Sequence, residues 1–250
     1  MKLKEIIWQI KDLSKSIGSS EPYICGGVPR DKYMGRLKKI ADIDITTGDD
    51  SIFKLGEEFS KLYSKTVQSK ISNDQHRTMF FKNIKIDFSS NFNTPNIDYE
   101  LKKLNVQSTS LNKEMFSRDF TCNSLLLSTD LKTFLDPTKR GLKDIDSKVI
   151  DTCLDPSITL TTNNNRVCRA VYLSVKLGFS LSDRVKDYIL SNPDSMKIST
   201  QNVMTEKLNK AFEIDGNKAS KLITDLKLWG HIPITEVIKP YYLDSGINVR

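Results

Sequence analysis

The spacing of the apolar residues changes partway along this 250-residue chain, and this change most constrains its fold. Up to about residue 150, short segments alternate apolar and polar residues, the period of a half-buried strand, between stretches of helical spacing. Past about residue 155 the helical spacing of three to four residues takes over. We therefore predict an α+β domain with a small mixed sheet over residues 1–150 and an all-α domain over residues 151–250.

The pattern also predicts the individual elements. In the first domain it predicts helices over 3–17, 28–35 and 51–64, strands over 23–25 and 41–47, and a hairpin over 77–89 that turns at Lys82–Asn83. Residues 90–113 are rich in Asn, Ser, Thr and Lys and predict a loop. Residues 141–152 predict a turn and a short return strand. In the second domain it predicts helices over 166–177 and starting at Ser182, Ser199 and Asn217.

Asp42 and Asp44 form the sharpest candidate site. Side chains two residues apart on a strand point to the same face, so these carboxylates repel each other unless a cation lies between them. Hard divalent ions such as Mg²⁺ prefer oxygen ligands, and two such ions can clamp a phosphoryl transfer. A solvated edge strand with acidic outward residues is the alternative interpretation of this pair.

Gly26 and Gly27 follow a strand and precede a helix. Glycines allow backbone N–H groups to approach an oxyanion, and Arg30 lies one turn into the helix, within reach of the same phosphate. An ordinary strand–turn–helix is the alternative. The glycine pair lies only about fifteen residues before the two aspartates, a spacing that favours a phosphate cradle beside a metal site.

Further charged residues lie on later segments. Asp87 sits on a third candidate strand and is either a third carboxylate that orients or deprotonates a hydroxyl, or a solvent-facing residue. Arg118 and Asp119 precede a buried-looking run and form either a local ion pair or, for Arg118, a partner for a triphosphate.

Composition limits the function classes. Lys plus Arg number 38 against 31 for Asp plus Glu, a formal net charge of +7 that favours an anionic partner such as nucleic acid or a nucleoside triphosphate. The four cysteines have no zinc-type spacing, so we expect them reduced and buried. The N-terminal segment carries charges throughout and lacks an apolar run for a signal or membrane helix. We expect a cytoplasmic protein with no membrane partner.

Four motifs together resemble those of the tRNA CCA-adding enzymes and bacterial poly(A) polymerases. They occur in that family's order across about 160 residues. The matching segments are GGVPRD at 26–31 with MG at 34–35 and DID at 42–44, SRDFTCNSLLL at 117–127, DPTKRGLKDIDSKVI at 136–150, and RVCRAVYLSVKLGF at 166–179.

The resemblance implies a polymerase-beta-like nucleotidyltransferase head followed by a helical neck. It implies that Asp42 and Asp44 bind catalytic Mg²⁺, in a two-ion site, and that Asp87 is the third carboxylate. It also implies a set of nucleotide-binding residues: Gly26, Gly27, Arg30, Arg118, Asp119, Asn123, Asn163, Arg166 and Arg169. The implied reaction is attack of an RNA 3′-hydroxyl on the α-phosphate of ATP or CTP, without a nucleic-acid template.

The sequence departs from the family pattern at several positions. Asn163 stands where the family has a base-reading aspartate, and an amide both donates and accepts hydrogen bonds. Ser117 and Tyr172 replace arginines. The chain stops after the neck, where relatives continue into tRNA-gripping domains. We therefore expect a minimal form, a chain that a partner subunit completes, or one that has lost the tRNA grip.

Three functions follow from these observations. The first is addition of CCA, or part of it, to the 3′ end of tRNA. The second is a poly(A) polymerase or a less selective RNA-tailing enzyme, which the short C-terminus and Asn163 favour. The third is a non-catalytic RNA-binding protein with a degenerate transferase fold, against which the retained carboxylates and Arg30 argue.

Overall fold

The computed structural model describes residues 3–37, 40–63, 67–73, 76–81, 84–90, 94–196 and 201–232. The chain divides into two compact units, Met1–Lys143 and Asp144–Arg250. None of the helices in the described part of the chain has the length and apolar character that a membrane crossing requires.

The first unit contains, within the described residues, a mixed sheet of seven strands. The order across the sheet is β3-β4-β5-β2-β1-β6-β7; β2 and β5 are parallel and the other neighbours are antiparallel. In chain order the strands are β1 Tyr23–Cys25, β2 Asp42–Thr46, β3 Val67–Asn73, β4 His76–Phe81, β5 Ile84–Ser89, β6 Leu126–Ser128 and β7 Phe134–Leu135. The mixed sheet is confirmed. The turn predicted at Lys82–Asn83 lies outside the described residues, and β3 was not predicted.

Helices connect and cover these strands. In chain order they are α1 Leu3–Ile17, α2 Gly27–Tyr33, α3 Ser51–Leu62, α4 Ile97–Lys103, α5 Ser110–Ser117 and α6 Gly141–Asp146, with a 3₁₀ turn at Thr121–Asn123. The division between the two units falls inside α6.

One face of the sheet packs with α1 and α3 into a hydrophobic core. Ile43 and Ile45 of β2 and Ile86 and Phe88 of β5 all point into it and are essentially inaccessible to solvent. Burying side chains of this size stabilises the fold by about 1.5–3 kcal/mol each. Because side chains alternate along a strand, the residues between them face the opposite side of the sheet, where the polar side chains of β2 and β5 gather.

The predicted loop over residues 90–113 is wrong. Residues 97–103 and 110–117 are helical, and the side chains of Ile97, Leu101 and Met115 are buried. The Thr109 hydroxyl accepts a hydrogen bond from the backbone N–H of Asn112 and so caps α5. The polar composition misled the prediction because Asn, Ser and Thr are favoured both in loops and as helix caps.

The segment at 141–152 also differs from the prediction. Residues 141–146 form a helix rather than a turn, and strand β8 covers only Val149–Ile150. The Asp136 carboxylate and the Thr138 hydroxyl accept hydrogen bonds from the N–H groups of Leu142 and Gly141, which satisfies donors that the first helical turn leaves open.

The second unit is mainly helical, as predicted. Its helices are α7 Pro156–Thr162, α8 Asn165–Leu177, α9 Asp183–Ser191 and α10 Gln201–Asp225. Ser182 caps α9 as predicted, through Val185 N–H. One detail differs from an all-α domain: β8 pairs in parallel with a two-residue strand β9, Ser180–Leu181. The predicted start at Ser199 lies outside the described residues.

The last predicted helix boundary is displaced by two residues. Asp215 has non-helical backbone angles within α10, and its carboxylate accepts a hydrogen bond from Lys218 N–H. Asp215, rather than Asn217, therefore caps the second half of α10, since a capping carboxylate bonds to the N–H three residues later.

Candidate active site

Three aspartates from two neighbouring strands meet on the polar face of the sheet. In the parallel pairing of β2 with β5, Asp44 lies opposite Asp87 and Asp42 lies opposite Lys85. One carboxylate oxygen from each of Asp42, Asp44 and Asp87 lies within 4.8 Å of the others. Asp42 is exposed and Asp87 is buried, so the cluster runs from solvent into the sheet. The structure thus brings together the three predicted carboxylates.

Asp87 is held by two neighbours that the sequence analysis did not single out. Thr78 of β4 donates its hydroxyl to one carboxylate oxygen of Asp87 at 2.6 Å, and the ammonium of Lys85 contacts the other oxygen. The same ammonium lies 3.8 Å from Asp42 Oδ1. A cationic side chain therefore partly neutralises the three carboxylates.

The environment favours the neutral form of Asp44. Burial raises the pKa of its carboxyl from the ordinary 3.8 to about 6; the nearby charges of Asp42 and Asp87 act in the same direction, whereas Arg118 and Lys85 oppose the rise. Burial likewise raises the pKa of Asp42. Carboxylates that are difficult to ionise next to one another are a common arrangement at functional sites, because a bound cation relieves the repulsion.

Gly26 lies so close to the Asp44 side chain that no other residue type fits at this position. Its φ of +75° lies in the left-handed region, and a Cβ at this position would stand 2.3 Å from an Asp44 carboxylate oxygen. Since β1 pairs with β2 so that Cys25 lies opposite Asp44, the glycine places the start of α2 directly beside the carboxylate cluster. The predicted neighbourhood of glycine pair and aspartates is therefore present. A Cβ at Gly27 would stand 3.3 Å from the Arg30 guanidinium.

Arg30, Asn123 and Asp119 form one buried hydrogen-bond chain. Arg30 pairs with Asp31 at 2.8 Å and donates to Asn123 Oδ1 at 2.5 Å; the Asn123 amide donates to Asp119 at 3.1 Å. Only 3% of Arg30 is exposed. The structure thus joins the predicted residues of two separate motifs, and the guanidinium is bonded within the protein. The phosphate contact of Arg30 stays a prediction.

Arg118 belongs to a second buried group. Its guanidinium bonds to Glu114 at 2.8 Å and to the Cys25 sulfur at 2.9 Å, and it lies close enough to Asp44 to favour ionisation there. Glu114 is fully buried and also accepts from the Thr46 hydroxyl. Arg118 Nε is buried and has no hydrogen-bond partner among the described residues. A buried N–H without a partner is costly.

Two of the three predicted residues of the second unit, Asn163 and Arg166, form hydrogen bonds within that unit. Asn163 is exposed, and its side-chain oxygen accepts from Asn165 N–H at 3.0 Å, at the start of α8. Arg166 is buried and donates to the carbonyl of Thr159 in α7 at 2.9 Å. Arg169 is half-buried on α8. Base or phosphate contacts by these residues stay predictions.

The donor set fits a hard divalent cation such as Mg²⁺. All three candidate ligands are carboxylates, with no histidine or cysteine among the described side chains of the cluster, and this is the ligand chemistry that Mg²⁺ and Mn²⁺ share. When bound, such an ion lowers the charge on phosphate oxygens and favours attack at phosphorus.

Lys85, Thr78 and Glu114 are the site residues that sequence reasoning missed. Lys85 precedes Asp87 by two residues, as Asp42 precedes Asp44, so the period of two already placed it on the same face. Thr78 and Glu114 required the register of β4 with β5 and the helix α5, which the sequence alone did not supply. All four cysteines are buried thiols, as predicted.

With the fold and the cluster described, the chain can be placed among known proteins. The poly A polymerase head domain family matches residues 22–151, which include the whole carboxylate cluster. The chain belongs to this family, in agreement with the resemblance of its motifs.

The similar proteins are named CCA-adding enzymes or tRNA nucleotidyltransferases. A CCA-adding enzyme of Geobacillus sp. (strain WCH70) is 28% identical over 218 residues, which are 86% of this chain and 51% of that protein. The crystal structure of the Bacillus stearothermophilus CCA-adding enzyme in complex with CTP has a TM-score of 0.73 at 21% identity, covering 98% of this chain and 58% of the other. A tRNA nucleotidyltransferase complexed with a primer tRNA and an incoming ATP analog has a TM-score of 0.70 at 22% identity, with 89% and 62% coverage.

At these identities the structural likeness concerns the fold. The chain spans about half the length of the curated relatives it matches.

Proposed function

We propose that this protein is a template-independent RNA 3′-end nucleotidyltransferase that acts on tRNA in the cytoplasm and adds CCA or part of it. The convergence of Asp42, Asp44 and Asp87 beside Gly26 carries the proposal. An RNA 3′-hydroxyl oxygen attacks the α-phosphorus of ATP or CTP, the bond to the β-phosphate breaks, and pyrophosphate leaves. The names of the similar proteins mention CCA addition, tRNA and CTP, and this supports the proposed class of substrate.

The residues in and around the cluster have different roles. Asp42 and Asp44 would hold Mg²⁺, in a two-ion arrangement, while Asp87, fixed by Thr78, orients the attacking hydroxyl. Arg118 lies close to Asp44 and would donate to the nucleotide. Gly26 lets the start of α2 lie against the Asp44 carboxylate, because any Cβ there would occupy the space of that carboxylate. The chain of Asp119, Asn123 and Arg30 keeps this wall of the site rigid.

An RNA-tailing or poly(A) activity is the second candidate, and Asn163 favours it. A carboxylate at this position accepts hydrogen bonds only, whereas an amide presents either polarity after rotation. Rejection of UTP and GTP should then weaken, because the amide can pair with the edge of either kind of base.

One experiment separates these functions. The protein is incubated with Mg²⁺, each NTP separately or all four together, and either a tRNA lacking CCA or a generic RNA oligonucleotide. Addition limited to C and A on tRNA supports CCA addition; long ladders on both RNAs support tailing. The absence of any product with all four NTPs would contradict both and favour the non-catalytic RNA-binding alternative.

Affinity for RNA provides a second test. The net charge of +7 is modest, so we expect weak binding that depends mostly on phosphate contacts and falls steeply with salt. Fluorescence anisotropy with labelled tRNA at about 50 and 200 mM salt measures this. An affinity that does not change between these conditions would contradict the expectation.

A further inference from the structure

Lys85 occupies the position of a cation within the carboxylate cluster. It lies on the same strand and face as Asp87 and opposite Asp42 in the neighbouring strand. Its ammonium contacts Asp87 Oδ2 and lies 3.8 Å from Asp42 Oδ1, so it touches two of the three carboxylates. Thr78 occupies the remaining oxygen of Asp87.

The arrangement makes Lys85 a competitor for any divalent ion at this site. An ion that binds Asp87 through Oδ2 must take that oxygen from the ammonium, and an ion on either carboxylate meets a positive charge nearby. The same charge has an opposite effect on the protein alone, because it relieves repulsion among three carboxylates that would otherwise face one another. Its side chain is about one third exposed, so the ammonium can swing into solvent when an ion arrives.

We propose that Lys85 is a positioning residue that substitutes for a divalent cation: it holds the carboxylate cluster together before metal binds and lowers the cluster's affinity for metal. The inference rests on the proposed function, since it assumes that the cluster is the metal site.

The affinity for Mn²⁺ in the absence of nucleotide tests the proposal. The protein is first freed of metal with a chelator, and Mn²⁺ binding is then measured by electron paramagnetic resonance. Lys85→Met should bind Mn²⁺ about tenfold more tightly than the wild type, a difference of about 1.4 kcal/mol. Lys85→Arg keeps the charge and should stay within about threefold of the wild type, less than 1 kcal/mol by the same relation. Lys132→Met, at an exposed lysine in the β6–β7 turn, removes the same net charge elsewhere and should change little.

Thermal unfolding gives the second measurement. In chelator, Lys85→Met should unfold at a lower temperature than the wild type, and Mn²⁺ should raise its midpoint by more than it raises that of the wild type. Unchanged Mn²⁺ affinity in Lys85→Met, or equal tightening in Lys85→Arg, would overturn the role of Lys85 while leaving the metal site intact. If wild type and Asp42→Ala bind Mn²⁺ equally, the cluster is not the metal site, and both this inference and the proposed function fail.

Discussion

The polar site residues of the two units differ in the groups that their side chains contact. In the first unit, aspartates more than forty residues apart in sequence share one face of a sheet, and their oxygens lie within 4.8 Å. In the second unit, Asn163 and Arg166 bond to backbone groups of their own unit. Strand pairing fixes which side chains meet, because register and alternation leave no freedom. On a helix, capping and packing compete for the same polar groups, so a motif there is a weaker guide to a site.

If buried ion pairs stabilise the first unit, removing one partner of such a pair should lower the free energy of unfolding. Glu114→Ala removes the buried carboxylate that accepts hydrogen bonds from Arg118 and from the Thr46 hydroxyl. We expect the free energy of unfolding to fall by about 3–5 kcal/mol, as for other broken buried pairs. Urea denaturation measures this. Glu114→Gln keeps the volume and one acceptor and should lose less; equal losses in the two variants would show that the charge is unimportant.

The unfavourable ionisation of Asp44 predicts a pH dependence. Its pKa in the folded protein, about 6, lies above the ordinary 3.8, so the stabilisation that the neutral carboxyl gives is complete below about pH 4 and is lost as pH rises through 6. In chelator, Asp44→Asn should therefore be more stable than wild type by roughly 2 kcal/mol at pH 7.5, since one pKa unit corresponds to 1.36 kcal/mol and the group keeps some solvent.

This advantage should disappear as pH falls to about 4, where the wild-type carboxyl is protonated in both states. Urea denaturation at several pH values measures it, with the exposed Asp12→Asn as the matched control. A stability difference between Asp44→Asn and wild type that does not vary with pH would show that Asp44 ionises normally.

The second unit should show smaller effects at Asn163. Asn163→Ala removes the oxygen that accepts from Asn165 N–H and should cost about 1 kcal/mol in unfolding free energy, whereas Asn163→Asp keeps a good cap and should cost almost nothing. If Asn163 also reads the base, Asn163→Asp should sharpen discrimination of CTP and ATP over UTP and GTP. The measurement is the ratio of incorporation efficiencies; an unchanged ratio would limit Asn163 to capping the helix.

Sequence alone predicted the parts of the fold that depend on simple periodicity. Alternation placed Ile43 and Ile45 in the core and Asp42 and Asp44 on the other face, and this arrangement is confirmed. It could not predict α4 or α5, because their polar residues are equally typical of loops until a cap such as Thr109 is paired with its N–H. Nor could it assign Cys25 to Arg118 or Asn123 to Arg30, since these contacts join residues 93 apart in the chain.

The central claim is that the aspartate cluster carries out nucleotide transfer, and one pair of variants tests it most directly. Asp42 is exposed, so Asp42→Ala should fold normally and yet lose transfer of CMP or AMP to tRNA by at least about a thousandfold, which equals about 4 kcal/mol in the barrier. Asp12→Ala, at an exposed aspartate on α1, should retain full activity. Gel assays of labelled tRNA lacking CCA, with circular dichroism to verify folding, give the comparison. Transfer by Asp42→Ala within about tenfold of the wild type, a difference of only about 1.4 kcal/mol, would contradict the account.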